Sequence, residues 1–209
     1  MVLGEFEIIG FMIRKLKQLY YSFRNKFHKR TVLKNKNIKI GANTILYYKS
    51  TVLNLSKDGK VNIGDNCLIG RSKTGYHAGM PFYTTILNDG AHSDVCIGNN
   101  CRINGAYIHA KESIQIGDNC VIASGVNIID SNGHETYSLD RTVGRDTPHN
   151  ITIGKNVWIG INATILKGTS IGDNSIVSAG SIVKGEFPCN CIITGNPGKI
   201  TKIIELDSI

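Results

Sequence analysis

Aliphatic residues return every six positions through the C-terminal half of the chain, at Ile153, Ile159, Ile165, Ile171, Val177 and Val183. Small and polar residues fill the places between them, in ITIGKN-VWIGIN-ATILKG-TSIGDN-SIVSAG-SIVKGE. A helix repeats its apolar face every 3.6 residues and a flat strand every two, and neither brings a turn so often. A chain wound round a triangular core does: each aliphatic points inward, and Gly, Asn, Asp or Lys takes the corner. The period of six therefore predicts an all-β parallel solenoid. The same frame recurs at Ile63-Gly64-Asp65-Asn66, Ile97-Gly98-Asn99-Asn100 and Ile116-Gly117-Asp118-Asn119. With three hexads to a coil, residues 36–200 would hold about seven coils once two irregular stretches are set aside.

Those stretches run near 71–94, with GYHAGMPFYTT, and near 130–150, DSNGHETYSLDRTVGRDTPHN. Long irregular loops in a compact repeat protein usually carry function. The second holds His134, Arg141, Arg145 and several carboxylates, a composition suited to a site. Residues 1–34 are different material from the solenoid of 35–209. Met12, Leu16, Tyr20, Phe23 and Phe27 recur at helical spacing among Arg14, Lys15, Lys17, Arg24, Lys26, Lys29 and Arg30. This predicts a basic amphipathic α-helix. Glu5 and Glu7 interrupt its first apolar stretch, so it reads neither as a signal peptide nor as a membrane span. Two placements are open: against the solenoid or a neighbouring subunit, or on an anionic membrane surface. The expected location is cytoplasmic, with peripheral contact at the inner membrane face under the second placement.

Charge separates the same two parts. Residues 1–34 carry eight Lys/Arg and two Glu, a net +6, and the remainder carries sixteen Lys/Arg and fourteen Asp/Glu, a net +2. The basic character belongs to the N-terminus, and no arginine-rich or aromatic groove suggests nucleic acid. Cys67, Cys101 and Cys120 each follow a hexad isoleucine by four residues, which reads as a repeated small position. Neighbouring coils about 4.8 Å apart would permit a Cys101–Cys120 disulfide, though no secretion signal argues for one. Cys189-Asn190-Cys191 is too tight for a two-pair zinc site. His77, His92, His109, His134 and His149 include no close pair, which argues against a metal-dependent β-helix carbonic anhydrase.

Ile128 to Lys202 resembles the hexapeptide-repeat acyltransferases, in the galactoside, maltose and xenobiotic acetyltransferase branch, and the O-acetyltransferases of bacterial capsule and O-antigen gene clusters. The resemblance rests on Gly133-His134, Asn156-Val157-Trp158-Ile159-Gly160, Ser178-Ala179-Gly180-Ser181 and Gly195-Asn196-Pro197-Gly198-Lys199, with His134 standing 24 residues before Trp158. It implies a left-handed β-helix, a homotrimer with active sites between subunits, acetyl-CoA as co-substrate and no metal. His134 corresponds to the family's catalytic base. Imidazole titrates near neutrality, so it can take a sugar hydroxyl's proton and return it to the departing thiolate. Asp130 and Asp146 are both candidates to orient it.

Further site residues follow from the resemblance. Asn104 and Glu112 fall at acceptor-contacting positions, and each can accept a hydrogen bond from a hydroxyl. Trp158, the single tryptophan, would be large for a coil interior and suits a site wall. Gly160, Ala179 and Gly185 match backbone contacts to acetyl-CoA, and Lys184, Lys199 and Lys202 fall near its phosphate and adenine ends. This chain has Lys184-Gly185 where the family often has Thr-Lys, and lysine where arginine is commoner near the end. Ser124, in Ala123-Ser124-Gly125, reads as a corner residue rather than a nucleophile. The leading expectation is O-acetylation of a saccharide hydroxyl by direct transfer, in surface-polysaccharide biosynthesis. N-acetylation of a nucleotide-linked amino sugar is the alternative within enzymes, and a non-catalytic docking scaffold the alternative outside them.

Overall fold

The computed structural model describes residues 2–73 and 76–205. The chain forms a left-handed parallel β-helix of triangular section behind one long helix. The first sheet stacks seven strands in the order Ile38–Ile40, Val61–Ile63, Asp94–Ile97, Ser113–Ile116, Ile151–Ile153, Ser170–Ile171 and Glu186–Phe187. The second stacks Ile45–Leu46, Leu68–Ile69, Arg102–Ile103, Val121–Ile122, Trp158–Ile159, Ile176–Val177 and Cys191–Gly195, then adds Gly198–Ile203 antiparallel. The third stacks Thr51–Asn54, Thr85–Asn88, Tyr107–Ala110, Asn127–Ile129, Thr164–Leu166 and Ile182–Val183. Six full coils and two sides of a seventh result.

In-register pairing turns each hexad isoleucine into part of a column. Ile97, Ile116, Ile153 and Ile171 stack on one another in the first sheet, each no more than 4% exposed. The corner residues explain the rest of the Ile-Gly-Asp-Asn signature. A Cβ on Gly98 would lie 2.7 Å from the Gly117 carbonyl carbon, so the coils can approach this closely only over glycine. The Asp118 carboxylate accepts the Asn99 amide of the coil before, at 2.8 Å. Asn66, Asn100, Asn119 and Asn156 turn the corner with φ of 55–61°, a left-handed conformation that asparagine tolerates better than most residues.

The cysteines are unpaired. Cys67, Cys101 and Cys120 are buried and free, and each thiol points to a glycine carbonyl of the next coil, Gly98, Gly117 or Gly154, at 3.1–3.2 Å. Thr44 donates in the same way to Gly64, at 2.6 Å. The hydrogen bond with Cys120 and burial push the Cys101 thiol up to about 11, so it stays a protonated donor at neutral pH.

One expectation needs correction, and one is met by an unexpected face. The segment near 71–94 is not all loop: Thr85–Asn88 and Asp94–Ile97 are ladder strands, and the irregular part ends by Thr84. The helix Val2–Val32 does meet the solenoid, but not through its apolar stripe. Leu16, Tyr20 and Phe23 are 50–70% exposed. Tyr21, Asn25, His28 and Lys29 face the first coil, where Tyr21 stacks on Tyr48 at 6.1 Å. The edge of that coil offers backbone polar groups, and polar side chains meet them better than apolar ones can.

Candidate functional site

The irregular stretch 130–150 leaves the third sheet after Ile129 and returns at Ile151 of the first. Its root is a buried carboxylate. Asp130 accepts the amides of Lys111, Glu112 and Ser113 at 2.7, 2.8 and 3.0 Å, and its carbonyl accepts the His149 amide at 2.9 Å. One residue thus ties both ends of the loop to the neighbouring coil. Burial raises its pKa, and the three amides pull against that.

Asp146 organises the tip. It accepts the Ser131 hydroxyl at 2.6 Å and the amides of Asn132 and Gly133 at 2.6 and 3.1 Å, and it pairs with Lys167 at 2.7 Å. Burial works to raise its pKa, but the Lys167 and Ser131 contacts overcome that and hold it well below the usual carboxylate range. Gly133 adopts φ +78°, open to glycine at little cost. His134 follows, exposed to solvent and without a hydrogen bond to any described residue. Neither candidate aspartate touches its ring within the chain. Asp146 is spent on the turn that carries it, and Asp130 on the amides of the neighbouring coil.

Six of the other expected residues divide between two edges of the triangular section, and three lie on the second sheet. Glu112 stands exposed at the corner joining the third sheet to the first, the same edge that carries His134. Lys184 and Gly185 stand there too, where the Gly185 carbonyl accepts the Ser170 amide at 2.9 Å. Asn104, Gly160 and Ala179 stand at the corner joining the second sheet to the third. Asn104 is 8% exposed, and its Oδ1 is buried with no partner among the described residues. Gly160 and Ala179 are stacked so closely that a Cβ on the glycine would lie 2.7 Å from the alanine amide nitrogen. Trp158 is 54% exposed on the outer face of the second sheet, between Val121 and Ile176. Lys199 and Lys202 lie on the antiparallel strand added to that sheet. A single chain therefore keeps His134 and Trp158 apart, on an edge and on the face opposite it.

One cluster escapes sequence reasoning. His109 Nε2 lies 2.7 Å from Asp89, which also pairs with Lys111 at 2.9 Å. It adjoins the root of the loop, since the His109 carbonyl accepts the Asp130 amide at 3.4 Å. Its members come from successive coils, and only the ladder register brings them together.

Comparison with known proteins identifies the family. Residues 150–185 match the family described as bacterial transferase hexapeptide (six repeats), and residues 60–75 and 94–129 match the hexapeptide repeat of succinyl-transferase. The chain is 31% identical over 160 residues to the Escherichia coli K12 protein named "Putative lipopolysaccharide biosynthesis O-acetyl transferase WbbJ", covering 71% of this chain and 74% of that one. The chain belongs to the hexapeptide-repeat acetyltransferases. It is an acyltransferase. The galactoside O-acetyltransferase of E. coli K12 is 40% identical over 93 residues, but that match spans only 44% of this hexapeptide-repeat enzyme and 45% of that protein. A solved galactoside acetyltransferase in complex with coenzyme A superposes with a TM-score of 0.55 at 27% identity, over 90% of this chain and 78% of that one.

Proposed function

We propose that this enzyme transfers an acetyl group to a saccharide hydroxyl in surface-polysaccharide synthesis, with His134 as general base. Acetyl-CoA is the co-substrate. The observation that carries the reading is the Asp146-braced turn at Ser131–Gly133, which holds an unpaired imidazole out towards solvent. His134 takes the acceptor's hydroxyl proton as that oxygen attacks the thioester carbonyl. The C–S bond then breaks, and the imidazolium returns the proton to the thiolate. No acyl-enzyme is formed.

The separation of His134 from Trp158 supports a site shared between copies in a homotrimer, the edge of one chain set against the second sheet of another. Trp158 would wall that site. Asn104, with its unpartnered Oδ1, and Glu112 would accept hydrogen bonds from the acceptor. Gly160, Ala179 and Gly185 would let the pantetheine chain approach the backbone, and Lys184, Lys199 and Lys202 would meet the phosphates and adenine.

Thiol release from acetyl-CoA over a glycan panel tests the activity, and alkali lability of the product separates an ester from the amide that an amino-sugar acceptor would give. His134→Ala should lower turnover about 10²–10⁴-fold with little change in CoA affinity; wild-type turnover, or a trapped acetyl-Ser or acetyl-Cys, overturns the assignment. Co-assembly of His134→Ala with Trp158→Ala chains should restore part of the activity that each loses alone. Light scattering should give about three times the 22.8 kDa chain mass.

A further inference from the structure

The long helix Val2–Val32 presents two opposed faces. Tyr21, Asn25, His28 and Lys29 meet the first coil. At about 100° per residue their centre lies roughly half a turn from a second stripe. That stripe is Ile9, Met12, Leu16, Leu19, Phe23 and Phe27, each 54–70% exposed and together within an arc of about 80°. Lys15 and Lys26 run along one border of the arc, and Lys17 and Arg24 along the other. The Lys15 and Lys26 border opens into a cleft of about 1000 Å³ between the helix and Asn43, Thr44, Ile45 and Leu46. The solenoid thus grips the helix by its polar back and turns the apolar stripe outward.

We infer that this stripe docks the enzyme on an anionic lipid bilayer surface, with the helix lying in the interface. The charge balance selects this occupant. Residues 1–34 carry net +6 and the rest of the chain net +2, so a second copy is itself net positive and its overall charge repels both basic borders. Two such helices meeting stripe to stripe would bring like charges together. A sheet of anionic headgroups meets both borders at once, while the stripe reaches the acyl boundary. No helix among the described residues is long and apolar enough to cross a membrane, so the geometry is one of lying on the surface.

The test is sedimentation of the full chain with phosphatidylcholine vesicles, with and without phosphatidylglycerol. The protein should pellet with the anionic vesicles only, and raising the salt from about 0.1 to about 0.5 M should weaken partition roughly tenfold, because the Debye length shrinks. Leu16→Glu with Phe23→Glu should abolish pelleting while the oligomeric mass and acetyl-CoA turnover stay unchanged. Lys15→Gln with Lys17→Gln and Lys26→Gln should weaken pelleting without changing mass. The inference is overturned if the full chain stays in the supernatant, or pellets equally with neutral vesicles whatever the salt. It also fails if the Glu pair alters the oligomeric mass, which would show the stripe buried between copies.

Discussion

The two ends of the stack are closed by different means. At the start, side chains stand in for an absent coil. Inside the stack four corner glycine carbonyls take a hydroxyl or thiol from the coil before, Gly64 from Thr44, Gly98 from Cys67, Gly117 from Cys101 and Gly154 from Cys120. Gly41 has no such coil, and the Lys29 ammonium reaches it at 2.9 Å and the Thr44 carbonyl at 3.1 Å. His28 donates to the Ser50 carbonyl at 2.8 Å, Asn25 accepts the Tyr48 amide at 2.9 Å, and Asn35 donates to the Asn54 carbonyl at 3.1 Å. At the finish, the chain doubles back, and Cys191–Gly195 pairs with Gly198–Ile203. That strand is itself an edge, exposed along nearly its whole length, with Lys199 and Lys202 discouraging further pairing. A cap made of side chains leaves the capping element's outer face free for other work. A cap made of backbone moves the edge outward and must then defend it.

Four experiments bear on this contrast. Deleting residues 2–34 should have the largest effect. It strips the first coil of several edge partners at about 1 kcal/mol each, a loss on the order of 4 kcal/mol and about 10 °C in Tm; an unchanged Tm would mean the helix is no cap. Truncation after Gly195 should cost less, about 1–2 kcal/mol, because the lost strand buries little. It should instead give concentration-dependent association through the bared edge, read by light scattering. A paired substitution sharpens the difference: Lys29→Met should destabilise by about 1 kcal/mol in urea titration, and Lys202→Met by under about 0.5 kcal/mol. The smallest effect concerns pH. Burial lowers the His28 pKa against the raising effect of its bond to Ser50, so the folded state binds the proton less readily than the unfolded chain. Its contribution is complete above the unfolded value of about 6.5 and is lost as pH falls through the folded value. A Tm–pH profile should flatten over that range in His28→Gln.

The coils were legible because Ile-Gly-Asp-Asn is a local code: an inward aliphatic, a close approach, an amide acceptor and a left-handed corner. Thr85–Asn88 was missed because Thr-Ile-Leu-Asn pairs by register alone and carries none of that code. The loop bearing His134 was read through family spacing. Its bracing was not, since Asp130 and Asp146 each offer a carboxylate and only coordinates show both committed to backbone amides. The helix stripe was legible, but its direction was not. Hydrophobic pattern says which face seeks cover, and here the available neighbour was a polar edge.

The fourth position after the first sheet's hexad isoleucines holds Thr44, Cys67, Cys101, Cys120, Val157 and Ser175; all but Val157 reach a carbonyl of the next coil through the side chain. The position takes a small side chain, and a short donor there gains a hydrogen bond that valine forgoes. Cysteine is here one short donor among three, so counting the cysteines says nothing about the redox conditions in which the enzyme lives.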